Sequence, residues 1–165
     1  MNISVVIPYY NESLTLERTL NALANQTLSP SEIILIDSGS NDNSPLVIEV
    51  FIKERDAKNI ILLTSGEMSP SSSINLGVEK SSSDLVAYID CGLDIPLNWL
   101  ESSLSLMEKS DADIISEFYR SGMQNGAILH RIFHGGSDAL TTMVSYENNL
   151  FVRKFASKRG KEKLQ

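Results

Sequence analysis

The chain has 165 residues, 42% hydrophobic and 21% charged, a composition suited to one globular domain and unlike a disordered or collagen-like segment. No apolar run reaches the roughly 18 to 20 residues of a membrane span, no basic stretch precedes a cleavable apolar one, and the only cysteine, Cys91, excludes an internal disulfide and a multi-cysteine zinc site. Net charge is -7, yet residues 1–150 hold 8 Lys and Arg against 20 Asp and Glu, whereas residues 151–165 hold 6 against 1. The acidic body argues against nucleic acid as a partner, and the basic tail suits an anionic surface. The expected location is cytoplasmic, extending to the inner face of the membrane.

Residues 3–8 are the first apolar run, and Ser13 is placed to cap a helix in which Leu16, Leu20 and Leu23 share a face. A second run, 33–36, precedes Ser44-Pro45, a cap followed by a first-turn proline that predicts a helix through Glu54. The third run is 60–63. Residues 65–73, with five serines, Gly66 and Pro70, read as a mobile connection near the rim formed by the carboxyl ends of the strands. The fourth run is 85–89; Pro96 then opens a helix carrying Trp99 or Leu100, Leu104 and Met107, and Ile114-Ile115 starts a fifth strand. Short runs rich in Ile, Val and Leu have the pattern of strands buried on both faces. Their alternation with helices predicts an α/β fold with a mainly parallel sheet, Rossmann-like and flanked by helices.

In such sheets ligands bind beyond the carboxyl ends of the strands. Pro8-Tyr9-Tyr10-Asn11-Glu12 follows the first run, Asp37-Ser38-Gly39-Ser40-Asn41-Asp42 the second and Asp90-Cys91-Gly92-Leu93-Asp94 the fourth, so carboxylates, amides and an aromatic pair collect at one rim. Neither glycine-rich phosphate fingerprint occurs, which lowers dehydrogenase and P-loop readings.

Residues 3–12, 20–27 ending in Asn25-Gln26-Thr27, and 32–42 closely resemble the opening of the family 2 glycosyltransferases with the GT-A fold. Asn75-Leu76-Gly77, residues 85–90, Pro96 and Trp99-Leu100-Glu101 keep that family's order and spacing. The resemblance covers residues 1–118 well. It implies transfer of a sugar from a nucleotide diphosphate sugar, UDP-linked, to a saccharide or lipid-linked acceptor, usually with inversion. By that resemblance Tyr10 and Asp37 take the base, Asp90 faces the ribose and a divalent metal (Mn or Mg), and Pro8, Asn11, Glu12 and Asn75 complete the substrate-binding set.

Other roles compete for several of these residues. Tyr9 reads as core, Asp37 can shape a turn with Ser38-Gly39, Asp42 bonds the loop or the next helix start, and Trp99 is core. Asn11 and Glu12 divide between helix entry and substrate proximity. Ser38 stands where the family usually has a second Asp, Ile74 where an Arg is frequent, and Gly92 in the place of the second D-x-D carboxylate. The last departure removes a hard oxygen ligand; Asp94 is the substitute two residues on, or a helix-entry residue.

The general base that the family implies has candidates in Glu117, Asp138 and Glu162, each also readable as an ordinary carboxylate. His130 and His134 read as structural or exposed. Cys91 reads as a small filler beside the crevice. Residues 1–150 are the expected nucleotide-sugar-binding domain with a reduced acceptor half, and 151–165 a basic tail for peripheral membrane contact or a solvated terminus. The alternatives are a truncated, catalytically inactive domain acting as a nucleotide- or partner-binding module, and, more distantly, a receiver-type signalling domain.

Overall fold

The computed structural model describes residues 2–66, 68–110, 114–120, 123–130 and 149–153. Within them the chain forms β1 (Ile3–Tyr9), α1 (Leu16–Ala24), β2 (Glu32–Asp37), α2 (Ser44–Arg55), β3 (Ile60–Thr64), α3 (Pro70–Lys80), β4 (Leu85–Ile89), α4 (Trp99–Ser110), β5 (Ile114–Arg120), β6 (Met123–His130) and β7 (Asn149–Arg153). These strands make one sheet in the order β3-β2-β1-β4-β7-β5-β6. The first four are parallel, as the alternating pattern predicts, and β7, β5 and β6 extend them antiparallel.

Strand periodicity divides the core between the two faces of the sheet. Val5, Ile7, Leu35, Ala87 and Ile89 pack with Leu16, Leu20 and Leu23 of α1, Ile48 and Phe51 of α2, and Trp99, Leu100 and Met107 of α4. Val6, Ile34, Ile36 and Val86 face the other way, against Leu76 and Val78 of α3. The three α1 leucines are fully buried, each contributing about 1.5–3 kcal/mol. Gly77 lets α3 lie close to the sheet: a Cβ there would fall 2.4 Å from Val6 Cγ1 and 2.6 Å from Ile36 Cδ1.

Five expectations are corrected. The run 60–63 is not buried on both faces: β3 is the edge strand, and Ile61 and Leu62 are 37% and 49% exposed, because β2 covers only one side of it. The serine-rich stretch is a helix from Pro70 onward, capped by Ser69, whose side chain accepts the Ser72 amide. Ser13 is not the cap; α1 starts at Leu16 after Thr15, and the Thr15 and Leu16 amides donate to the Glu12 carbonyl, each at 3.0 Å. Similarly, Asn43 rather than Ser44 caps α2, and α4 starts at Trp99 rather than at Pro96, whose carbonyl accepts the Trp99 amide at 3.1 Å. Phe151, Val152 and Arg153 of β7 pair with Ala87, Val86 and Leu85.

Candidate functional site

Register brings the strand ends level. Tyr9 pairs with Asp37 and Asp37 with Thr64, while Val6 pairs with Tyr88, so the segments after β1, β2 and β4 leave the sheet at one edge. Between them lies a cavity of about 730 Å³, within the range of small-molecule sites. Pro8, Tyr9, Tyr10 and Glu12 line it from the β1 end, Ser38 from the β2 end, Asp90, Cys91 and Leu93 from the β4 end, and Met68 and Pro70 from the start of α3. Tyr9 is 7% exposed and belongs to the core, whereas Tyr10 is 56% exposed and presents a free aromatic surface.

The loops after β1 and β2 are locked together by side chains that cap backbone groups. Asn11, at φ 56, donates its amide to Ser40 Oγ (3.0 Å), and its own Oδ1 accepts the Asn41 amide (2.9 Å). The Glu12 amide donates to Ser44 Oγ (2.8 Å); Asp42 accepts the Ser13 amide with one oxygen (3.1 Å) and the Ser44 amide with the other (2.9 Å). The structural role read for Asp42 matches these contacts. Hydrogen bonding by Ser44, then by Ser13, holds the Asp42 carboxyl at about 2.

Asp37, half-buried at the end of β2, shapes the turn and is not among the residues lining the cavity. Its Oδ1 accepts the amides of Gly39 (3.1 Å) and Ser40 (2.8 Å), an Asx-type turn in which both contacts use the same oxygen. Beside it, Ser38, where the resemblance implies a second Asp, shares hydrogen bonds with Ser65 (3.4 Å) and Ser73 (3.2 Å), which bond each other at 2.9 Å. Ile74, where an Arg is frequent, is 2% exposed in the apolar packing. A cluster of neutral hydroxyls and a buried alkyl group thus occupy this place.

Asp90 is the carboxylate at the β4 end. The Tyr88 hydroxyl donates to it; burial pushes its carboxyl above the usual range, the Glu12 charge adds to that rise, and the Tyr88 bond opposes it. Burial, with Glu12 and Asp90 nearby, pushes the Cys91 thiol up to about 12. Gly92, at φ 80, donates its amide to Thr19 Oγ1 (2.9 Å), and Arg18 Nη2 donates to its carbonyl. Arg18 Nη1 also pairs with Asp94 at 3.3 Å. Among the described residues, those present do not fit a resident divalent cation: Gly92 has no ligating side chain, Asp94 faces a guanidinium, Asp90 accepts the Tyr88 hydroxyl, and no cluster of three His, Cys, Asp or Glu able to hold a metal exists.

Of the other predicted residues, Asn75 lies half-buried on α3 and is not among the residues lining the cavity. Glu117 sits in β5, opposite Ala127 of β6. Asp138, Glu162, His134 and the tail from residue 154 fall outside the described residues. Arg18 and Thr19 escape a reading of the sequence, because a helix-face arginine and its neighbour carry no local signal; Ser65, Met68 and Ser73 belong to the serine-rich stretch expected near the strand-end rim, and Met68 and Pro70 do line the cavity.

A family model described as glycosyl transferase family 2 matches residues 4–162. The chain is 29% identical over 164 residues to the glycosyltransferase AglE of Haloferax volcanii, an alignment covering 92% of this chain and 52% of that one. It is 25% identical over 134 residues to the GalNAc(5)-diNAcBac-PP-undecaprenol beta-1,3-glucosyltransferase of Campylobacter jejuni, covering 81% and 42%. Its fold superposes on glucosyl-3-phosphoglycerate synthase from Mycobacterium tuberculosis, solved with Mn2+, UDP and glucosyl-3-phosphoglycerate, with a TM-score of 0.60 at 17% identity, covering 93% of this chain and 57% of that one. The fold is therefore GT-A. The chain spans about half the length of the curated relatives it matches.

Proposed function

The chain belongs to glycosyl transferase family 2, and from that premise we propose that it binds a nucleotide diphosphate sugar, UDP-linked, in the cavity beyond β1, β2 and β4 and passes the sugar to a saccharide or lipid-linked acceptor. The observation that carries this reading is that Tyr10 and Asp90 line the cavity while Asp37, next to the lining residue Ser38, ends β2 at the same edge of the parallel sheet. The exposed Tyr10 ring offers a stacking face for a uracil, and Asp37, with its turn contacts confined to Oδ1, has a second oxygen to accept the imide proton. Asp90 meets the ribose, with Pro8 and Glu12 on the adjoining wall, Asn11 holding the loop between them and Asn75 on the neighbouring helix.

The lipid-linked acceptor draws support from the undecaprenol named in the Campylobacter relative. Among the described residues no helix is long and apolar enough to cross a membrane. Contact with such an acceptor falls to the basic tail at an anionic surface, checked by comparing liposome cosedimentation before and after deletion of residues 156–165. The general base is sought among Glu117, Asp138 and Glu162 by turnover of their amide variants.

Calorimetric titration with UDP and a series of UDP-sugars, followed by turnover against saccharide and lipid-linked acceptors, tests the proposal. Micromolar to low-millimolar binding that Tyr10→Ala and Asp90→Ala both weaken supports it. Absence of binding by any nucleotide sugar overturns it, and binding without turnover reduces the chain to a nucleotide-binding module.

A further inference from the structure

The position that the family resemblance assigns to a second acidic residue is Gly92 here, and a cation, Arg18, lies beside it. Gly92 is in the left-handed region at φ 80, and a Cβ placed on it would lie 3.2 Å from Thr15 Cγ2, 3.3 Å from Thr15 Cβ and 3.5 Å from Arg18 Nη2. A side chain at this position meets Thr15, the residue that precedes α1, and the Arg18 guanidinium, in a backbone conformation that disfavours anything but glycine. Consecutive α1 residues occupy both backbone groups of Gly92: Thr19 Oγ1 accepts its N–H at 2.9 Å, and Arg18 Nη2 donates to its carbonyl. The other Arg18 nitrogen reaches Asp94 at 3.3 Å, so one guanidinium spans the loop from Gly92 to Asp94. A planar fork with several donors can make both contacts at once; a single ammonium is a point charge and cannot reproduce that geometry.

We infer that Arg18 is a positioning residue that fixes the loop from Asp90 to Asp94 without a divalent cation, standing in for the carboxylate and metal that would otherwise organise it. The carboxylate substitute expected at Asp94 is thereby turned away from metal binding and into a clamp. The inference builds on the reading of this cavity as the donor site, because the loop carries Asp90, Cys91 and Leu93 into its wall. Thr19 is fully buried and anchors the clamp, whereas the Arg18 side chain is 55% exposed and makes little of the core, so its removal leaves global stability nearly intact.

Hydrogen exchange of the full chain, without nucleotide, is the first test. Exchange in peptides covering residues 90–95 is expected to be equally slow in EDTA and in Mn2+. It is expected to quicken at least about tenfold in Arg18→Ala, with an unchanged urea midpoint, and by less in Arg18→Lys. Fast exchange in EDTA that only Mn2+ suppresses, or no change in Arg18→Ala, overturns the inference. Titration with Mn2+ alone is the second test. No saturable binding below about 1 mM is expected, and tighter binding that Asp94→Asn abolishes overturns the inference. Neither measurement uses a nucleotide, so failure of UDP to bind defeats the donor-site reading while these two arms still decide the role of Arg18.

Discussion

Asp42 and Ser13 meet across two loops that no strand pairing joins: a carboxylate oxygen of Asp42 accepts the Ser13 amide at 3.1 Å. Through that contact the segment after β2 fixes where the segment after β1 turns into α1, and so where Tyr10 and Glu12 stand at the cavity.

Asp42→Ala therefore loosens both loops at once. A lowered urea midpoint is expected, with weaker nucleotide binding. The effect carries a pH signature. The folded-state value of about 2 lies below the ordinary 3.8, so the carboxylate's contribution is fully present above the unfolded value and is lost as pH falls toward about 2. The gap in midpoint between wild type and variant should be constant near neutrality and close progressively between about pH 4 and about pH 2. A gap independent of pH across that window contradicts the assignment.

Asp37 has two tasks that substitution can separate. Asp37→Asn keeps an acceptor oxygen for the Gly39 and Ser40 amides and removes the charge, whereas Asp37→Ala removes both. The Asn variant is expected to fold with nearly wild-type stability but to bind UDP at least about tenfold more weakly, while the Ala variant also loses about 1 kcal/mol of stability. Equal UDP affinity in wild type and Asp37→Asn would confine Asp37 to the turn.

Gly77→Ala tests the approach of α3 to the sheet. The added methyl overlaps Val6, a stiff β-branched neighbour, and the end of Ile36, so a loss of about 1–3 kcal/mol in urea denaturation is expected. Val6→Ala makes room on the sheet side. The double variant should fall short of the summed losses of the two single ones by at least about 0.5 kcal/mol.

Cys91 should behave as an inert wall residue. With its thiol pushed up to about 12 by burial and the Glu12 and Asp90 charges, almost none is thiolate at neutral pH. Iodoacetamide at about pH 8 should label it at least about 100-fold more slowly in the folded chain than in urea. Comparable rates in the two states would contradict the burial.

The strand sequence of the parallel core was legible because strands 33–36 and 85–89 are sandwiched between helices and must be apolar at every position. The same rule misplaced residues 60–63, since an apolar run does not reveal whether a neighbour exists on each side. Residues 70–73 were hidden by their composition: serines favour turns in isolation, yet the Ser69 cap and Pro70 permit a helix whose stability comes from packing Ile74 and Gly77 on the sheet. The gathering of Tyr10, Asp37 and Asp90 at one edge of the sheet was legible because Asp37 ends β2 and the other two directly follow β1 and β4. Arg18 was not, because its partners Gly92 and Asp94 lie more than seventy residues away.

The sequence by itself determined the alternation of strand and helix, the edge at which acidic and aromatic residues gather, and the family, all consequences of local periodicity and short motifs. Only the tertiary structure decided which oxygen of Asp37 is committed, that Asp42 ties two loops, and that a guanidinium stands beside Gly92. Those depend on the meeting of chain segments distant in sequence, where a few hydrogen bonds between fixed strand ends settle what each polar group is free to do.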